Sequence, residues 1–201
     1  AKVTADREVA RANFGLESSD RVLLYLSRID PKKGLDRMLF ALEGTPQQNW
    51  QVWVVGDGDP NWVNKLKQWS AARRRQLPTI HWVGAQWGEA KWPYLAAADL
   101  FCLPTHSENF GLAVLESLWV GTPVLTTPDT PWVDYAHVDG IQITRNDVNS
   151  LRGALHHQFK NYGWTASQRC QLKSWSQTHF HWNRLRGQYL KAYERLIGLE
   201  A

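Results

Sequence analysis

The segment from Pro104 to Trp132, with the apolar tetrapeptide before it, limits the fold more than any other part of the chain. Leu100-Phe101-Cys102-Leu103 is of strand type and is closed by Pro104. A polar loop, Thr105 to Asn109, leads into Phe110-Gly111, and Leu112 to Val120 then carries Leu115, Leu118 and Trp119 at helical spacing. Gly121 ends that helix, because glycine reaches the left-handed conformation that a helix C-terminus often needs. Val124-Leu125 opens another strand. Strand, glycine-containing loop, helix, strand is a unit of open α/β sheets, which bind ligands outside the carboxyl ends of their strands.

The flanking sequence repeats this alternation. Arg21 to Leu26 and Trp50 to Val55 are continuous apolar strands, as expected where helices cover both faces of a sheet. Thr79 to Val83 and Gly140 to Ile143 are shorter strands. Helices are expected after Gly34 to about Leu42, over Asn61 to Arg75, over Lys91 to Ala98, and from the N-cap Asp147 to about Lys160. A charged helical lead runs from Asp6 to Phe14, and Thr165 to Leu199 reads as helical throughout. The predicted fold class is therefore α/β, a Rossmann-like doubly wound parallel sheet with helices on both faces. Gly56-Asp57-Gly58 lacks the third glycine of a dinucleotide fingerprint and reads as a tight strand-to-helix turn.

The first turn of the central helix, at Phe110 to Ala113, offers backbone N–H groups that the helix leaves unpaired, which with the helix dipole make an anion site. Glu108 lies in the loop and Glu116 in the helix, with seven residues between them. Each residue turns the helix by about 100°, so Glu116 can face back toward the loop mouth. Carboxylates beside an anion site make sense as acceptors for hydroxyls on either side of a phosphate. Arg28 and Lys33 follow the first strand and precede a helix, where positive charge opposes the dipole unless an anion lies between them. The plain alternative for these residues is a pair of exposed loop cations, a solvated Glu108 and a helix-surface Glu116.

Glu108-x7-Glu116 within Pro-Thr-His-Ser-Glu-Asn-Phe-Gly, followed by Gly121-Thr122-Pro123-Val124, resembles the donor site of the group-1 (family 4) retaining glycosyltransferases. Arg28-x4-Lys33-Gly34 is similar to their diphosphate-binding segment, with Ser27 where glycine is more usual. The resemblance extends from Val22 to about Leu196 and implies the C-terminal, donor-binding half of a GT-B architecture. It implies hexosyl transfer with retention from a nucleotide diphosphate sugar to an acceptor hydroxyl, without a metal or other cofactor. Carried over, Glu108 holds the hexose, Arg28 and Lys33 face the diphosphate, and Glu116 holds the ribose. Asn109, Phe110, Gly111 and Leu112 belong to the phosphate-facing helix start, and Ala85 and Gln86 to the base loop. The expected partners are the nucleotide sugar and the protein's own N-terminal acceptor domain, with peripheral membrane contact through that domain as a further option. In this scheme residues 1–20 lead in from the other domain, and 165–201 are closing helices that cross back onto it. A non-catalytic sugar-nucleotide scaffold, a sugar-nucleotide epimerase and a phosphorylase remain as alternatives.

Composition narrows the classes. A net charge of +4 suits an anionic small ligand but is too diffuse for a nucleic-acid binder. Arg73-Arg74-Arg75 sits at a helix end, where cations complement the dipole. Cys102 and Cys170 are expected as free thiols, and no two histidines are spaced for a metal site. The absence of a long apolar run or leader gives a cytoplasmic expectation. Ala1 in place of methionine, and the charged lead, read as a piece of a longer protein. Such a piece is expected to bind nucleotide weakly and not to transfer sugar.

Overall fold

A computed structural model describes residues 6–45 and 49–196. Six parallel strands form one sheet: β1 (Arg21–Leu26), β2 (Trp50–Val55), β3 (Thr79–Gly84), β4 (Leu100–Leu103), β5 (Val124–Thr126) and β6 (Ile141–Ile143). Their spatial order is β3-β2-β1-β4-β5-β6. The chain builds outward from β1 in one direction and then resumes at β4 in the other. The β1/β4 boundary is therefore the switch point, where loops diverge and leave a crevice. Because every strand is parallel, residues following Leu26, Val55, Gly84, Leu103 and Thr126 all emerge on the same edge.

Apolar content decides the layering. In β1, β2 and β4, Leu23, Leu24, Val52, Val54 and Phe101 are wholly buried, so both faces of the sheet are covered. The covering helices are α1 (Arg7–Asn13), α2 (Leu35–Leu42), α3 (Pro60–Ala72), α4 (Trp92–Ala97), α5 (Leu112–Trp119), α6 (Val148–Asn161) and α7 (Ala166–Phe180). Helix α2 packs on α6, α1 on α4, and α5 on α7. Helix α5 stops at Trp119 and is followed by Gly121 at φ +84°, the left-handed residue its sequence calls for. Asp6, Asp59, Asp147 and Thr165 cap α1, α3, α6 and α7 through side-chain oxygens.

Four local expectations need correction. The segment at Lys91 is split into a 3-10 turn, Gly88–Lys91, and α4, because Pro93 cannot donate to a preceding turn. The proline-rich Thr126–Trp132 region contains a 3-10 helix, Pro131–Tyr135, which buries Trp132. The tail is broken at His181 (φ −67°, ψ 134°) between α7 and α8 (Trp182–Leu196), with no proline or glycine at the break to signal it. Residues 197–199 of the expected tail lie outside the described residues. Helix α3 ends at Ala72 and not at Arg75, with Arg73 at its C-cap paired to Glu43 at 3.0 Å. No described helix is long and apolar enough to cross a membrane.

Both cysteines are free thiols, Cys102 buried and Cys170 exposed. Burial in β4 pushes the Cys102 thiol far above its ordinary range, with Arg37 opposing the shift only in part. A thiol reagent at neutral pH is expected to label one cysteine in the native protein and two in denaturant. Rapid native labelling of both would mean that β4 opens readily.

Candidate functional site

The turn after β1 and the loop after β4 meet across the switch point, and their backbones hold each other. Tyr25 is buried in β1, and burial pushes its phenol well up, so it stays protonated and donates to the Arg28 carbonyl at 3.0 Å. The 3-10 turn Pro31–Lys33 ends at Gly34 (φ 72°), which also starts α2. Its neighbour Lys32 offers a carbonyl that accepts from the His106 N–H at 2.8 Å and the Thr105 hydroxyl at 3.1 Å. Arg37 of α2 donates to the Pro104 carbonyl. A Cβ on Gly34 would come within 2.1 Å of that same carbonyl oxygen. Gly34→Ala is thus expected to destabilise the protein by about 3 kcal/mol, from positive φ combined with a backbone clash, and to displace the loop. Urea unfolding checks this, and a change under 1 kcal/mol would show that the two loops are not locked.

That lock brings the Lys33 ammonium onto Glu108 Oε1 in a half-buried ion pair. The sequence reading gave Lys33 to a diphosphate and Glu108 to a sugar. In the structure the two groups neutralise each other across the crevice. Glu108 is also held by its backbone N–H, which donates to the Asp129 carbonyl at 3.1 Å. Beyond it, Asn109, Phe110 and Leu112 are exposed, and Gly111 (φ 77°) starts α5. Trp132 fixes this start from below: its indole N–H donates to the Phe110 carbonyl at 2.6 Å. Thr130, in the turn after β5, is buried and donates to the Thr127 carbonyl at 3.1 Å. His106 is exposed beside Asn146.

Glu116 faces away from Glu108's lysine. It accepts from Lys91 at 2.6 Å, and Lys91 lines a cavity of about 200 Å³ at the ends of β1, β2 and β3. Arg28, Asp57, Ala85, Gln86 and Trp87 line the same cavity. Arg28 is exposed and has no ion-pair partner among the described residues. The structure therefore brings Arg28, Ala85 and Gln86 together directly, and Glu116 through Lys91. Lys33, Glu108 and residues 109–112 form the adjoining loop cluster and do not line this cavity. Trp87, 78% exposed at the rim, and Lys91 were not singled out by sequence reasoning. A larger groove of about 790 Å³ lies between α3 and the start of β3, lined by Lys67, Arg74 and Arg75. It holds none of the candidate residues and lies at the opposite strand ends.

A family model described as Glycosyl transferases group 1 matches residues 6–163. The chain belongs to this family. The group-1 relatives include a D-inositol 3-phosphate glycosyltransferase of Segniliparus rotundus, 30% identical over 131 residues, covering 60% of this chain and 27% of that protein. Another, from Mycobacteroides abscessus, is 26% identical and covers 85% of this chain and 42% of its own length. Among solved structures, sucrose-phosphate synthase from Thermosynechococcus elongatus superposes with a TM-score of 0.82 at 22% identity, covering 99% of this chain and 51% of that one. The chain thus spans from about a quarter to about half of the length of these proteins. At that identity the superposition speaks for the fold, a Rossmann-like half of the GT-B type.

Proposed function

We propose that the chain is the donor-binding half of a retaining glycosyltransferase that moves a hexosyl group from a nucleotide diphosphate sugar to an acceptor hydroxyl. One observation carries the reading. Across a single switch point, two carboxylates, Glu108 and Glu116, each hold a lysine, while Arg28, with no ion-pair partner among the described residues, lines the base-loop cavity. A structure of Anabaena Alr3699/HepE is described in complex with UDP and glucose, which supports a nucleotide-sugar ligand for a chain of this fold.

The chemistry follows from the leaving group. Breaking the anomeric C–O bond puts negative charge on the diphosphate, so stabilising that charge is the main task. Arg28 offers a planar fork, Lys33 a point charge, and the start of α5 its free N–H groups. These groups supply the positive field without calling on a metal. Glu108 accepts from hexose hydroxyls and orients the reacting carbon, and Glu116 accepts from the ribose. Ala85 and Gln86 meet the base through the loop after β3. The acceptor and the groups that complete the cleft come from the rest of the protein, so this chain alone binds nucleotide without turnover.

The test is product analysis with full-length protein and isotope-labelled sugar nucleotides. The expected product is a glycoside with the donor's anomeric configuration, formed equally well with a chelator present. An isomerised donor, a sugar 1-phosphate or an inverted glycoside would overturn the reading. Turnover by the 201-residue chain alone would defeat the claim that the other half is required.

A further inference from the structure

Lys91 ends the 3-10 turn Gly88–Lys91, and the backbone runs on directly into α4. Two rigid elements therefore fix the base of its side chain. The ammonium donates to Glu116 Oε1 at 2.6 Å and lies 5.4 Å from the Trp92 ring centre. The lysine side chain is 23% exposed and its carboxylate partner 20%, so this pair is screened less than one on open surface. A glutamate on the second turn of a helix, left alone, samples several rotamers. Here one oxygen is held by Lys91, which lines the cavity, and the other has no hydrogen-bond partner among the described residues.

We propose that Lys91 is a positioning residue of the nucleotide subsite, holding Glu116 so that its second oxygen accepts from a ribose 2′,3′-diol. It thereby makes the site selective for ribonucleoside over dideoxyribonucleoside diphosphates. This rests on the donor-binding reading above. The geometry supports it from both sides: Lys91 lines the cavity together with Arg28, Ala85 and Gln86, and among the described residues no other side chain pairs with the Glu116 carboxylate. A lysine that merely stabilised the fold would affect both ligand types alike.

The experiment is calorimetric titration of the chain with UDP and with 2′,3′-dideoxy-UDP, or with the GDP or ADP pair if that base binds instead. Lys91→Met is expected to weaken binding of the ribonucleotide about tenfold, the loss of one charge-assisted contact, and to change dideoxynucleotide affinity less than twofold. Lys91→Arg restores most of the loss, and Lys91→Met adds little in a Glu116→Gln background. Lys91→Gln serves as a second uncharged variant, with thermal unfolding as the check on folding. An equal loss for both ligands, or undiminished ribonucleotide binding, would overturn the role of Lys91 and leave the donor-binding reading standing. Wild-type protein that binds none of the three diphosphates would remove that reading and the role of Lys91 with it.

Discussion

Asp99→Ala is expected to cost roughly 3–5 kcal/mol of folding stability, as removal of one partner from a buried ion-pair network does. Asp99 is 1% exposed and precedes β4. It accepts from Arg7 at 2.7 Å, Arg11 at 3.2 Å and the Val22 N–H at 2.8 Å, with Arg169 at 3.6 Å. These partners come from α1, β1 and α7, so one carboxylate ties the first helix and a late helix to the centre of the sheet. Removing it takes the counter-charge from two largely buried guanidinium groups, Arg11 and Arg169, which keep hydrogen bonds to backbone carbonyls, and leaves the buried Val22 N–H without its acceptor. Against a total stability of about 5–15 kcal/mol for a typical domain, that is a large fraction. Asp99→Asn keeps hydrogen-bonding capacity and should fall between the two. Urea unfolding decides: a cost under about 1 kcal/mol for Asp99→Ala would mean that water or a rearranged arginine replaces the carboxylate.

The second large effect has opposite signs on the two sides of one ion pair. Lys33 and Glu108 neutralise each other, so on the donor-site reading proposed above a diphosphate would compete with Glu108 for Lys33. Lys33→Met removes a charge-assisted contact of about 1.5–3 kcal/mol and leaves Glu108 unpaired near the phosphates. Nucleoside diphosphate affinity should fall roughly 10- to 150-fold. Glu108→Gln frees Lys33 and should tighten binding of the bare diphosphate a few-fold, yet lower sugar transfer by the full-length protein on the order of a hundredfold through loss of hexose positioning. Titration and turnover measured on the same variants separate the two roles. Equal weakening of diphosphate binding by both substitutions would show that Glu108 supports the loop and not the sugar.

Much of the fold was legible because its signals are local. The continuous apolar runs at β1 and β2 announce a sheet covered on both faces, and Gly121 marks the end of α5. The strand-end placement of Arg28, Lys33 and Glu108 follows from the same alternation. What escaped is contact across long sequence separations. Lys91 and Glu116 lie on different elements, and Lys91 reads as an ordinary helix cation. Asp99 reads only as the residue that introduces β4, whereas in the structure Arg7, Arg11 and Arg169 converge on it. The Trp132 hydrogen bond to Phe110 links a turn after β5 to the start of α5, and no periodicity reports such a link. The break at His181 was hidden because apolar residues continue at helical spacing past it.

The most direct test of the donor-site account is a crystal structure of the chain with bound UDP, or with GDP or ADP if either binds better. The account predicts the base against Ala85 and Gln86 and the ribose hydroxyls on Glu116. The diphosphate should lie between Arg28, Lys33 and the Gly111 and Leu112 amides, with the Lys33–Glu108 pair opened. Nucleotide seated instead in the groove of Lys67, Arg74 and Arg75, or with its phosphates away from the start of α5, would contradict it.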